Sequence, residues 1–324
     1  ITFAPMIQLS GILSRRKVKH RPSWHLVFEW EDEISRALSL PVHAPARPGW
    51  WARSLARRLG LKCPARHFHP MLEFVMIATP DNRGRYSRHT VPWIIDWFLP
   101  DSDLPAFLHS TRHCQQVLIS SREAYERLTA NGADPGRYRH LPLSLPDRYR
   151  LDPSAPMHKD IDLALVGRNT SRLLEYARRY VDSHPGLRVV VKGPKRDGHP
   201  WVYDLEGHPV ADIDSRQDYL ALMRRCRLFL YSTPGIDDGK PTQGFSQVTP
   251  RFLEALACGC RPIMRYPDNP DTRYYRLSDF GPSVDTYAQF EAEADRLLST
   301  PLDLDAIAAY LAPRYTSQVI KSIV

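Results

Sequence analysis

Short apolar runs alternate along the chain with stretches in which apolar residues recur every three or four positions, a pattern that predicts βα alternation. In the first half, residues 24–28, 72–77, 91–95 and 116–119 read as strands. Helical spacing covers 104–114 and 121–131, the second opened by the hydroxyls of Ser120 and Ser121 and stopped at Gly132. Residues 140–144 read as the last strand of this half. The stretch 146–158, with three prolines and several charges, is the expected domain boundary.

A second alternation begins with a strand over 161–166, ending in Gly167, Arg168 and Asn169 and followed by a helix over 171–183. Residues 187–191 read as the next strand, with Lys192 and Lys195 expected in the loop at its end. Residues 218–232 read as a helix passing into a strand, and 233–244 as a polar, glycine-containing loop. Ligands of an open α/β sheet bind at the carboxyl ends of the strands, where Arg168 and Lys192 are expected. The most informative stretch is 249–263. Pro250 suits a first helical turn, Leu253, Leu256 and Ala257 give that helix an apolar side, and Gly259 ends it before a buried strand opening at Arg261. Backbone N–H groups at Ser246, Gln247, Val248 and Thr249 are expected to face an anion, with Glu254 one turn further in, placed to bond a vicinal diol such as a ribose.

This segment resembles the nucleotide-sugar site of GT-B glycosyltransferases, especially the retaining family-4 type and its CgeB-like relatives. Gly244 and Phe245 fit that family's Gly-Phe, Glu254 fits the second acid of its Glu-x7-Glu motif, and 255–259 (Ala-Leu-Ala-Cys-Gly) fit its helix end. The first acid is replaced by Ser246. Residues 116–132 resemble the end of a family-4 N-terminal domain, and 310–317 the terminal segment of polysaccharide glycosyltransferases. The resemblance implies an α/β GT-B architecture of two Rossmann-like domains facing a central cleft. Residues 1–148 would bind the acceptor and 149–305 the nucleotide-sugar, while 306–324 would pack back toward the first domain. It implies a glycosyltransferase of bacterial surface-polysaccharide type, retaining, that uses a nucleotide-diphosphate sugar as donor, a glycan or lipid-linked glycan as acceptor, and no bound metal or further cofactor. Arg168 matches the arginine that holds the donor diphosphate. Arg172 stands where the family's lysine usually is, so Lys192 takes that role on chemistry alone. Asp96 occupies the place of the family's histidine and either orients the acceptor hydroxyl or acts as its general base, or else merely caps the next helix. The donor set is then Gly167, Arg168, Asn169, Lys192, Lys195, Thr233, Gly244, Phe245, Ser246, Gln247, Val248, Thr249, Arg251 and Glu254. A nucleotide-sugar epimerase, a nucleic-acid-directed protein and a non-catalytic binding module stay open as alternatives.

Composition adds three constraints. At 324 residues the chain suffices for two α/β domains, and a formal charge of +8 with a pI near 9.3 indicates an anionic partner. The only dense basic run, 15–20, is expected to be a solvated face, with peripheral contact to an anionic membrane as the alternative. Aromatic residues are not interleaved with the basic ones, so nucleic acid is not an expected partner. The five cysteines lack paired metal-ligand spacing and are odd in number, which speaks against a disulfide framework. Asp237 and Asp238, adjacent in a loop, are expected to be solvated. His109 and His113, four apart on an expected helix, lack a third metal ligand. No run of about 18 apolar residues and no basic leader occurs, so a cytoplasmic location is expected, at most peripheral at the inner membrane face.

Overall fold

The computed structural model describes residues 7–19, 24–45, 69–80, 86–167, 170–237 and 242–322. They group into two compact units. Unit 1 holds the residues up to Ser120, 125–142 and those from Val319 on, and unit 2 holds 121–124 and 143–318.

Unit 1 contains β1 (Gly11–Leu13), α1 (His25–Leu38), β2 (Val42–His43), β3 (Met71–Ile77), β4 (Thr90–Asp96), α2 (Leu104–Thr111), β5 (Val117–Ile119), α3 (Arg122–Ala130, its first turn counted with unit 2) and β6 (Tyr138–His140). The strands form one parallel sheet in the order β2-β1-β3-β4-β5-β6. Trp30 of α1 lies on this sheet with its ring 5.9 Å from Phe74 and 6.0 Å from Trp93. The strand expected at 24–28 is instead the start of α1. Its buried residues Val27, Trp30, Glu31 and Ile34 recur at helical spacing, and one apolar turn of that face mimics a strand. The first strand, β1, has only three residues and offers no pattern to read. Beneath α1 the basic run is partly structural. Arg15 bonds the buried Glu73, while Arg16 reaches Glu31 at 3.0 Å and Asp32 at 2.7 Å, so these two cations are not a solvated face. His20 lies outside the described residues. The strand expected over 140–144 is displaced: β6 stops at His140, and Pro142 has no N–H to extend a ladder. Helix α2 stops at Thr111, so His113 does not share a helix face with His109.

Unit 2 contains β7 (Ile161–Leu165), α4 (Ser171–Ser183), β8 (Val189–Arg196), β9 (His199–Tyr203), β10 (Pro209–Asp212), α5 (Arg216–Arg225), β11 (Cys226–Ser232), α6 (Pro250–Ala257), β12 (Arg261–Arg265), α7 (Pro270–Tyr274), α8 (Tyr287–Ser299) and α9 (Leu304–Leu311). The sheet order is β10-β9-β8-β7-β11-β12, parallel except for the outer hairpin strands β9 and β10. Local chemistry sets the helix starts. The Thr170 hydroxyl accepts from the Leu173 N–H, Ser215 and Asp218 form a capping box on α5, and Thr286 and Gln289 form another on α8. The expected loop after residue 191 is absent, because β8 runs on to Arg196. Asp197 (φ 52°) and Gly198 (φ 84°) then make a two-residue turn into β9, the pairing that a primed hairpin turn requires.

Helix α6 ends as its sequence predicts, on Gly259 at φ 65°. A Cβ there would come within 2.5 Å of the Met157 sulfur, so glycine is needed for space as well as for conformation. The half-buried Lys159 donates its ammonium to Cys258 O at 2.6 Å and Cys226 O at 2.8 Å, satisfying a carbonyl at the helix end. Burial lowers its pKa. Burial also pushes the thiols of Cys226 and Cys260 up to about 12 and that of Cys258 higher still, so all three are packing groups. Cys63 lies outside the described residues. Among those residues no helix is long and apolar enough to cross a membrane.

Candidate functional site

The carboxyl ends of β7 and β11 meet the first turns of α5 and α6. Gly167, just past β7, has φ 83°, and a Cβ there would lie 2.6 Å from Arg251 Nη2 and 3.0 Å from its Cζ. The absence of a side chain at 167 therefore lets the Arg251 guanidinium lie against the end of β7. Its Cζ also stands 5.1 Å from the Phe229 ring centroid, and it hydrogen-bonds the Tyr219 phenol, whose pKa burial drives up. One helix away, Arg216 opens α5. Its Nη1 donates to Glu254 Oε1 at 2.8 Å, and its Cζ is 5.3 Å over the Tyr149 ring. The Glu254 side chain is 5 % exposed and that of Arg216 15 %, so this is an ion pair largely out of water.

The loop between β11 and α6 is tied down at both ends. Residues Thr242 to Phe245 form a turn closed by Phe245 N–H donating to Thr242 O at 3.0 Å, with Gln243 at φ 54° and Gly244 at φ 82°. A Cβ on Gly235 would strike the Thr242 hydroxyl. Asp237 sits 2.8 Å from Arg265 Nε and bonds the Thr170 side chain. Burial works to raise its pKa, but Arg265, the Thr170 hydroxyl and Arg172 outweigh that and hold it below the ordinary carboxylate value. Asp237 is thus an anchored counter-ion, against the expectation of a solvated loop acid, and Asp238 lies outside the described residues.

Among the expected donor residues, Phe245, Ser246, Gln247 and Val248 are all buried. Ser246 Oγ lies 2.7 Å from Thr233 Oγ1, and Ser246 O accepts from Asn269 Nδ2 at 3.0 Å. Where the resembled family has its first acid, this chain has a closed hydroxyl pair. The Thr249 N–H, expected to face an anion, turns inward and donates to the fully buried Tyr231 hydroxyl at 2.9 Å, because Tyr231 points up from β11 directly beneath it. Gly167, Arg251 and Glu254 are gathered at the strand ends together with Arg216, which the sequence reading missed. The N-cap at Ser215 was readable, but nothing local indicates which carboxylate the arginine meets. Lys192 is exposed within β8, one residue past the Leu165–Val191 pair and therefore level with the end of β7. Lys195 is exposed three residues further along the hairpin, away from the strand end where it was expected. Arg168 and Asn169 lie outside the described residues. Asp96 ends β4 in unit 1, half-buried, with its carbonyl accepting from Ala78 N–H at 3.0 Å. Asp204, Glu206 and His208, in the turn between β9 and β10, form a group with metal-ligand spacing, its atoms within 4.8 Å of one another.

No protein-family model matches the chain, and no curated protein matches it in sequence. Solved structures do match its fold. AviGT4, a glycosyltransferase involved in avilamycin A biosynthesis, superposes with a TM-score of 0.58 at 13% identity, covering 97% of this chain and 95% of that one. Alr3699/HepE from Anabaena, solved with UDP and glucose, gives 0.56 at 9% identity, covering 98% of each chain. A putative UDP-N-acetylglucosamine 2-epimerase from Listeria monocytogenes gives 0.49 at 11% identity, covering 98% and 95%. With two parallel-dominated sheets flanked by helices, the chain has the α/β GT-B fold.

Proposed function

We propose that the chain is a glycosyltransferase that moves a sugar from a nucleoside-diphosphate donor to a glycan or lipid-linked glycan acceptor, with retention. In this reading residues 149–305 take the donor and 1–148 present the acceptor. The observation that carries it is the meeting of Arg251, Arg216 and Glu254 with Gly167 at the carboxyl ends of β7 and β11, the edge of an open α/β sheet where ligands bind. Glu254 supplies the carboxylate for a ribose diol and shares it with Arg216. Arg251 supplies positive charge for the diphosphate, joined by Arg168 and Lys192. Their work is electrostatic: charge that develops on the departing diphosphate is met by cations, with the Arg251 guanidinium already held in place. Asp96 orients the acceptor hydroxyl. Because a solved structure of the same fold holds UDP and glucose, UDP is the first nucleotide to test.

The test is a calorimetric and thermal-shift panel of UDP, GDP, TDP and ADP with their sugar conjugates, on wild type and Glu254→Ala. Selective binding of one diphosphate, weakened by the substitution, is expected. Binding of none in the wild type overturns the reading. A second reading, a nucleotide-sugar-binding module without turnover, is favoured by the Ser246–Thr233 hydroxyl pair in the first acid's place. Release of free diphosphate from the bound conjugate, with acceptor or slowly with water, excludes it.

A further inference from the structure

A cavity of about 690 Å3 opens at the amino end of β12, the opposite edge of the unit 2 sheet from the site above, between the end of α6, the last turn of α8 and α9. One wall is aromatic. Tyr310 and Phe280 meet edge to face with centroids 4.7 Å apart, and Leu302 and Ile307 continue the apolar surface. The rest is cationic, with four arginines on the lining. Arg276 is matched by Asp279 and Arg296 by Glu293. The other lining acid, Asp303, is taken up as the cap of α9, accepting from Ala306 N–H at 2.8 Å.

Arg261 and Arg314 differ. Arg261 donates to Thr300 O, and Arg314 donates to Tyr310 O at 2.5 Å with its Cζ 3.6 Å over the Tyr310 ring. Among the described residues, neither has a carboxylate at ion-pair distance. Burial lowers the Arg261 pKa, and the nearby cations Arg227 and Arg296 push it the same way, so the potential there is positive.

We propose that this cavity binds a small soluble organic phosphate monoester with a flat or apolar body, independently of the donor site. Two unmatched guanidinium groups balance the −1.5 to −2 charge that such a phosphate carries near neutral pH, and their planar forks suit its oxygens. The aromatic wall covers the body. The volume lies within the roughly 300–1,000 Å3 typical of small-molecule sites.

Phenyl phosphate is the probe, titrated calorimetrically into the full chain, with phenol and inorganic phosphate as its two halves. One site is expected, with each half binding about tenfold or more weakly, and with Arg261→Gln and Arg314→Gln each weakening phenyl phosphate by about tenfold. Saturating UDP and Glu254→Gln are expected to leave it unchanged. An absence of binding, binding undiminished in both arginine variants, or loss of binding with UDP or Glu254→Gln overturns the proposal. Should the variants misfold, the Ile307 δ-methyl resonance of the wild type decides. It is expected to move with phenyl phosphate and not with phenol, and an unmoved signal overturns the assignment.

Discussion

The two edges of the unit 2 sheet differ in whether every arginine at the site there has a fixed partner. At the carboxyl edge three arginines are clamped: Arg216 to Glu254, Arg265 to Asp237 and Asp285, and Arg251 between Gly167, Phe229 and Tyr219. At the amino edge Arg225, Arg227, Arg276 and Arg296 are paired with carboxylates, but Arg261 and Arg314 rest on carbonyl oxygens and an aromatic ring. The same residue type thus serves two ends. Where it is matched by a buried carboxylate, removing it leaves an uncompensated charge; where it is not, removing it relieves one.

The sharpest way to break this contrast is Arg216→Ala. Stranding the buried Glu254 is expected to cost about 3 kcal/mol, measured by urea unfolding, and Arg216→Met with Glu254→Met is expected to recover most of it. Asp271 gives a related test, because it is a buried acid satisfied by neutral donors. It accepts from Ser121 Oγ at 2.6 Å and from Arg122 N–H at 2.8 Å at the start of α3, yet burial raises its pKa to about 6 from 3.8. The folded state therefore binds this proton more tightly than the unfolded chain does. The resulting stabilisation is complete below pH 3.8 and lost as pH rises through about 6, a span worth about 3 kcal/mol. Asp271→Asn is expected to remove this contribution from the pH profile, and a carboxyl resonance titrating near 4 counts against it. Gly167→Ala comes next. Both φ 83° and the 2.6 Å approach to Arg251 oppose a methyl group, and about 1–2 kcal/mol of destabilisation is expected by thermal melting, with weaker diphosphate binding. Smallest is Arg261→Gln, expected within about 0.5 kcal/mol of wild type and less salt-dependent, since it removes a cation crowded by its own sign.

How legible each part was in the sequence depends on whether its cause is local. The run from Pro250 to Arg261 carries its own start, apolar face and stop, and the structure follows it residue by residue. Helix α4 was equally plain, from Ser171 to Ser183. By contrast, residues 24–28 show one turn of a helix face that looks like a strand. The β8–β9 hairpin hid behind Gly193 and Pro194, which read as loop residues. Here Gly193 is needed because a Cβ would collide with Tyr203 across the ladder. At the candidate site Gly167, Arg251 and Glu254 were nameable. The Arg216–Glu254 pair spans 38 positions, and the Tyr231 hydroxyl that takes the Thr249 N–H comes from another element, so neither is visible until the sheet forms.

The half-buried Lys159 set against the end of α6 also bears on how this protein can be watched. Cys226, Cys258 and Cys260 surround it, protonated and sealed in unit 2, while Cys114 is sealed in unit 1 with its thiol pushed up to about 11. A thiol reagent reaches them only when the enclosing unit opens. Among the described residues the chain therefore carries native opening clocks, three cysteines in one unit and one in the other, that report without an added label.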